Sequence, residues 1–224
     1  MEVVIVIVAV AAIGIIVVAV ILWAMHLEKR RSADMRAMAE ALGLEFFHAG
    51  HAPLLSRLKR FQLFNHGHGC TMKNVILGET EVATIAIFDY QYTTGSGKNQ
   101  TTYNQTVVAM ESDSLKLPSF TLRPEHLFDR VGSALGFQDI DFADHPQFSK
   151  LFVLKGPDES AIREFFDVPL LNFFAARPGI CFECAPGLFI YFRAGKKQKV
   201  DDLRKYLEDG YSVYQAFAER LSRE

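Results

Sequence analysis

Two short clusters of histidine and cysteine are the parts of this sequence best suited to chemistry. The first, NHGHGC, places His66, His68 and Cys70 at alternate positions. In an extended strand alternate side chains project from one face, and imidazole together with thiolate suits zinc or copper. The second cluster, CFEC, holds Cys181 and Cys184. In a strand this spacing places the two thiols on opposite faces unless the chain bends at Cys184.

Zinc usually requires a complete set of four ligands, so both clusters would have to converge in the fold. The alternative for NHGHGC is a glycine-rich turn with solvated histidines. The alternative for CFEC is a pair of ordinary buried cysteines. A metal-binding enzyme or sensor that uses zinc is therefore one hypothesis, while the default expectation is a protein without a cofactor.

The segment IFDYQYTTGSGKNQTTYNQTVVAM predicts a β-hairpin with tyrosines near its tip. β-branched and aromatic residues suit the two strands, and TTGSGKN supplies turn residues. The glycine-lysine pair is not a phosphate-binding loop, because Asn99 follows Lys98 where that loop needs Ser or Thr. The tyrosines could instead pair across the strands and stabilise the sheet. The candidate binding surface consists of Tyr90, Tyr92, Lys98 and Tyr103.

The strongest pattern in the chain is the uncharged run Val3–Met25. At 1.5 Å per residue a helix of this length crosses the hydrocarbon layer of about 30 Å. We expect the helix to be retained, because a cleaved signal peptide would begin with a positively charged region. The positive-inside rule then places the N-terminus outside and residues 26–224 in the cytoplasm. The flank of the helix consists of Trp23, Lys29, Arg30 and Arg31.

Hydropathy and charge divide the chain into three parts. Residues 3–25 are the predicted membrane helix, and residues 26–44 are a basic juxtamembrane segment with a short helix that ends at Gly43. Residues 45–224 form the predicted cytoplasmic domain, with two candidate lobes at 45–123 and 124–224.

Within the domain, short apolar alternations predict an antiparallel β-meander and hairpins, and segments of helical period predict packed helices. The segment RPEHLFDRVGSALG is one predicted helix, and Val200–Leu221 is a long amphipathic helix at the C-terminal end. Strands and helices without regular βαβ alternation indicate an α+β fold.

Charge and motifs narrow the function classes. The formal net charge of -2 gives no basic excess, so we expect no nucleic-acid partner. GxSxG, HExxH and GxGxxG patterns are absent from the sequence, which favours a membrane-tethered interaction or scaffold domain over an enzyme. The expected partners are the lipid bilayer, through residues 3–25, and a second protein. A further alternative is an anionic-lipid-binding module that uses the basic segment GKKQK.

Three segments together carry a family resemblance: FDYQYTTGSGKNQTTYNQTVV, LPSFTLRPEHLFDRVGSALGFQDIDF and HPQFSKLFVLKGPDESAIREFF. They resemble a family of uncharacterised bacterial membrane proteins with one N-terminal helix and a cytoplasmic domain of unknown function. The resemblance covers nearly the whole soluble part and implies a bacterial inner-membrane location. It implies no activity, cofactor or catalytic residue.

Overall fold

A computed structural model of the protein describes residues 1–126 and 137–223. The α+β fold that the sequence predicts is confirmed. It combines an apolar N-terminal helix, an antiparallel sheet, further helices and a long C-terminal helix. The helix predicted in RPEHLFDRVGSALG lies mostly outside the described ranges.

The N-terminal helix α1 runs without interruption from Glu2 to Ala41. The predicted membrane helix and the predicted short helix are therefore one helix, because neither Pro nor Gly interrupts the chain between Met25 and Ala41. In the described part of the chain this is the one helix long and apolar enough to cross a membrane. An 18-residue stretch of it has a mean hydropathy of 2.6 and is not buried within the protein. Gly43, at a φ of +67°, follows the helix end as the sequence predicts.

Among the described residues, the strands form a single antiparallel eight-stranded sheet in the order β1-β2-β3-β4-β8-β7-β5-β6. The strands are β1 (Glu45–Phe47), β2 (His68–Glu79), β3 (Thr84–Thr94), β4 (Thr101–Glu111), β5 (Phe120–Pro124), β6 (Phe152–Lys155), β7 (Cys181–Ala185) and β8 (Leu188–Phe192). Because β8 pairs with β4, the sheet continues through both predicted lobes. The predicted hairpins are present as β3–β4 and β7–β8.

Two of the short helices begin at an aspartate that caps the first turn. Asp158 accepts a hydrogen bond from the Ala161 N–H at 3.0 Å, and Asp167 accepts one from the Leu170 N–H at 3.0 Å. A short helix that begins at Pro146 was not predicted. The α-helices after α1 are α2 (Ala52–Leu58), α3 (Pro146–Leu151), α4 (Glu159–Phe165), α5 (Val168–Ala175) and α6 (Leu203–Leu221), and 3-10 helices lie at Gln62–Asn65, Gly97–Asn99 and Val200–Asp202.

The two faces of the sheet carry separate apolar cores. The first face is covered by the C-terminal part of α1 and by α3 to α6, and Phe217 of α6 is fully buried among phenylalanine rings there. Helix α6 approaches β4 closely at Gly210, where a Cβ would lie 3.1 Å from Val108 Cγ1. The second face is packed mainly by α2 and the chain that follows it, including Leu54, Leu58 and Phe64. This thinner cover leaves a cavity on the second face.

Candidate functional site

A buried ion pair joins the N-terminal helix α1 to the sheet. Arg31 of α1 donates two hydrogen bonds to the Asp89 carboxylate of β3, from Nε to Oδ2 and from Nη2 to Oδ1, both at 2.7 Å. The side chains are 13% and 7% exposed. Parallel hydrogen bonds of this kind fix the relative orientation of the two groups. Arg31 belongs to the predicted basic flank of the apolar helix, and its side chain is held inside the domain rather than exposed like those of Lys29 and Arg30.

Polar groups from three other elements complete this junction. Asn74 lies at a register shift in β2 with a φ of 52°, which turns its amide towards the pair. Asn74 Nδ2 donates to Asp89 Oδ2 at 3.1 Å and Oδ1 accepts from Ser32 Oγ at 2.7 Å. Thr106 Oγ1 donates to Asp89 Oδ1 at 3.2 Å and accepts from the Gln198 N–H at 2.9 Å. Both oxygens of the Asp89 carboxylate thus accept hydrogen bonds, from Arg31, Asn74 and Thr106, and these bonds offset the cost of burying the charge.

The basic loop GKKQK lies beside the same helix. Lys197 Nζ contacts Glu28 Oε1 at 2.6 Å, one turn of α1 after the apolar run. Lys196 and Lys199 are exposed on this loop, and Lys29 and Arg30 are exposed on the helix. Trp23 is also exposed, and it lies on α1 near the end of the apolar run.

An apolar groove of 460 Å³ opens on the first face between the sheet and α6. Its floor is formed by Ile76, Ile87 and Met110, and its walls include Leu207 and Tyr211 of α6. The groove lies at the end of α1 away from the apolar run. Its lining also includes Leu44, which immediately follows Gly43.

The rim of this groove is acidic and its lining is mostly apolar. The charged lining residues are Glu79 and Glu208, and no lysine or arginine lines the groove in the described part of the chain. Glu208 forms an exposed i,i+4 pair with Arg204 at 4.0 Å, and such exposed pairs are weak. After α1, the large apolar side chains that the structure shows as exposed are Leu42, Val82, Val168 and Tyr211. Of these four residues, Tyr211 lines the groove. An open apolar groove with an exposed aromatic side chain in its wall is typical of an interaction site.

A second cavity, of 310 Å³, lies on the opposite face and collects some of the candidate residues. His66, Tyr92 and Cys181 line it together with Arg60 and Arg123. The rings of His66 and Tyr92 meet edge to face with centroids 5.5 Å apart. Sequence reasoning did not identify either arginine as a site residue.

The predicted metal ligands do not converge. Cys70 is exposed and its Sγ contacts the His66 carbonyl at 3.8 Å, whereas His68 Nε2 donates to the Gly95 carbonyl at 3.2 Å. Cys181 and Cys184 are buried on opposite faces of β7, as strand alternation requires. Within residues 1–126 and 137–223, no group of three His, Cys, Asp or Glu side chains is placed to hold a metal ion.

The tyrosines of the hairpin pack inward. Tyr90 and Tyr92 are each 2% exposed, so they cannot form an exposed recognition surface. They share the second face with Phe88 because alternate residues of β3 point the same way. Tyr92 stacks on its cross-strand partner Tyr103 with centroids 5.1 Å apart, which is the sheet-stabilising alternative. Lys98 remains exposed at the tip.

These features define a class of protein: an α+β domain continuous with a candidate membrane-spanning helix, with an apolar groove on one face. No known family matches the chain by its sequence pattern, and no curated protein matches it. The fold is similar to that in the crystal structure of the mycobacterial trehalose monomycolate transport factor A, TtfA. The TM-score is 0.59 at 14% sequence identity, over 85% of this chain and 94% of that chain. At this identity the similarity is one of fold.

Proposed function

We propose that the protein is a membrane-tethered scaffold that docks an amphipathic helix of a partner protein. The observation that carries this proposal is the apolar groove with its acidic rim. An apolar helix face fits such a groove, as in other helix-in-groove complexes. The neighbour TtfA is a transport factor by name, and a membrane-associated interaction role is compatible with that.

The way α1 joins the domain supports a scaffold role. From Met25 to Arg31 the helix rises about 9 Å, and from Met25 to Ala41 it rises about 24 Å. Arg31 and Met35 are already packed on the sheet. In this proposal, the continuous helix holds the domain close to the membrane. Because Leu44 lines the groove and follows the helix, the length of α1 then fixes the distance between the groove and the bilayer.

The acidic rim sets the chemistry of the partner. Glu79 and Glu208 would attract lysine or arginine at the edges of the docked helix, while Ile76, Ile87 and Leu207 would contact its apolar face. Complementary charge favours the encounter and the orientation, and the buried apolar area contributes most of the affinity. We therefore propose that the groove binds a basic amphipathic helix.

We also propose a location for the protein in the cell. We place the protein in a bacterial inner membrane, with the domain on the cytoplasmic side. Support comes from the exposed basic groups Lys29, Arg30, Lys196 and Lys199 next to the apolar run, because basic residues are enriched on the cytoplasmic side.

The direct test uses the full chain in nanodiscs of neutral lipid and a labelled helical peptide with leucines at i, i+3, i+4 and i+7 and lysines elsewhere. Fluorescence anisotropy should show saturable binding that Tyr211→Ser weakens about tenfold, because a central aromatic contact is lost. Glu208→Lys should weaken binding at low salt. Val168→Ser is the matched control, because Val168 is another exposed apolar residue that lies outside the groove.

A peptide with glutamate in place of lysine should bind much more weakly. Equal binding of the lysine and glutamate peptides, or equal affinity of the Tyr211→Ser and Val168→Ser variants, would remove the groove as the docking site.

A second candidate function is recognition of anionic lipid by the GKKQK loop. The contact between Lys197 and Glu28 favours it, because it fixes the loop beside the helix where α1 leaves the membrane. Each basic residue near an anionic surface contributes about 1 kcal/mol. Lys196 and Lys199 should be protected from acetylation in anionic nanodiscs relative to zwitterionic ones, whereas Lys98 at the hairpin tip should not change. Equal acetylation of the three lysines in both lipids would argue against this function.

A further inference from the structure

The cavity on the second face has the size and lining of a small-molecule site. Its volume of 310 Å³ is within the range of ligand pockets, at about 300–1,000 Å³. Leu63, Phe192 and the ring of Tyr92 give it a largely apolar wall. A few polar groups, among them His66, interrupt this wall, as is common where a ligand must be oriented.

One of its two arginines is neutralised within the protein. Arg123 Nη2 donates to Glu183 Oε1 at 3.1 Å, and the side chains are 12% and 2% exposed. The Glu183 carboxylate also accepts from the N–H groups of Gln62 at 2.6 Å and Leu63 at 3.2 Å. Burial raises the pKa of Glu183, while Arg123 and these two N–H groups oppose that shift. Glu183 borders the neighbouring cleft of 140 Å³ rather than this cavity.

The other arginine leaves a positive charge at the mouth. Arg60 is exposed, and Nη1 contacts the Pro186 carbonyl at 3.4 Å. No carboxylate lies within 4 Å of its guanidinium among the described residues. No acidic side chain lines the cavity there either. The cavity therefore combines an apolar interior with one uncompensated cation at its entrance.

The other titratable groups in the wall are neutral near pH 7. Burial, and then the charge of Arg123, lower the pKa of His66. Burial raises the pKa of Tyr92 to about 12 and the pKa of Cys181 to about 11. These groups can donate or accept hydrogen bonds without adding negative charge, so the attraction for an anion is not cancelled.

We propose that this cavity binds a small organic monoanion, an aryl or short-chain carboxylate. Its carboxylate contacts Arg60, and its apolar body lies against Tyr92, Leu63 and Phe192. The site is on the face of the sheet opposite the docking groove and does not depend on the docking function.

The test is a titration of the full chain in neutral-lipid nanodiscs with 4-fluorobenzoate, followed by fluorine NMR. Saturable binding is expected, and Arg60→Gln should weaken it about tenfold because a charge-assisted contact is lost. Arg204→Gln is the matched control. Arg204 is an arginine with a 75% exposed side chain on α6, and it does not line the cavity.

A neutral analogue, 4-fluorobenzamide, should bind at least about tenfold more weakly than the carboxylate. Thermal unfolding confirms that both variants are folded. Absence of saturable binding to the wild-type chain, or equal affinity of the Arg60→Gln and Arg204→Gln variants, would overturn the proposal. Neither outcome bears on peptide docking at the opposite face.

Discussion

Arg31 and Asp89 lie 58 residues apart in sequence and meet through two hydrogen bonds of 2.7 Å at the point where helix α1 joins the sheet. Both side chains are largely buried. Removing one member of such a pair leaves an uncompensated charge in the interior, which destabilises proteins more than an exposed pair contributes. The junction therefore fixes the orientation of α1 on the sheet, and we expect it to contribute to the stability of the domain.

Arg31→Met should lower the free energy of unfolding of the domain by about 3 kcal/mol, because Asp89 loses its bidentate partner. Arg30→Met is the matched control, since Arg30 is the adjacent residue with a 73% exposed side chain. Denaturant titration of the full chain in neutral detergent, followed by the accessibility of the buried thiols, measures the difference. Equal midpoints for the two variants would contradict the structural importance of the junction.

Local patterns were sufficient to predict much of the fold. The apolar run at the N-terminal end, the hairpin around Gly95 and Gly97, and the stripe of α6 each depend on residues close in sequence, and the structure confirms them. The junction and the cavity depend on pairs far apart, such as Arg123 and Glu183, which are separated by 60 residues. The hydrophobic periodicity of the sequence reports local structure and therefore does not predict such pairs.

Two signals in the sequence could nevertheless have drawn attention to these sites. Asp89 stands alone in the apolar strand IAIFDYQY, and Glu183 stands between the two cysteines of CFEC. A lone acid in a buried strand requires a partner, because an unpaired buried charge is very costly. The sequence does not identify that partner. The backbone conformation at Asn74 and the path of the chain between the strands determine which side chain reaches the acid.

Phe217 should be the most sensitive core position of α6. It is fully buried, and its ring contacts those of Phe120, Phe165, Phe174, Phe182 and Phe189. Phe217→Ala should cost about 3–5 kcal/mol of stability through the cavity that it leaves. Tyr214→Ala, at a half-buried position of the same helix, should cost much less. Denaturant midpoints of the two variants test this, and similar losses would show that α6 is not anchored at Phe217.

Cysteine reactivity should separate the three thiols. Cys70 is exposed, whereas burial raises the pKa of Cys181 to about 11 and raises that of Cys184 well above its usual range. Because the thiolate is the reactive form, a maleimide should label the native chain once and the denatured chain three times. Mass spectrometry counts the labels, and Cys70→Ser should abolish labelling of the native chain.

The same reagent tests the membrane orientation and the metal hypothesis. A membrane-impermeant maleimide should label Cys70 in bacteria only after permeabilisation if the domain is cytoplasmic, and labelling of intact cells would reverse the proposed orientation. Protection of Cys70 by added zinc, lost in a His66→Ala, His68→Ala double variant, would support the metal-binding alternative.

The stability of the domain should depend on pH through His66. Burial and the nearby Arg123 lower the pKa of His66 from its ordinary value of 6.5. Between that value and the lowered one, the unfolded chain binds more protons than the folded chain, so the free energy of unfolding increases with pH. The contribution of neutral His66 to the free energy of unfolding is therefore fully present above pH 6.5, and it is lost as the pH falls towards the pKa of His66 in the folded state.

His66→Gln should reduce this dependence, because glutamine does not titrate. The measurement is the denaturant midpoint at pH 7.5 and pH 5.5 for the wild-type chain, His66→Gln and His68→Gln, the last being a matched control at the exposed neighbouring histidine. The wild-type chain and the His68→Gln variant should lose more stability on acidification than the His66→Gln variant. If all three change by the same amount, His66 is not held neutral by the cavity wall, and its part in the proposed anion site would have to be withdrawn.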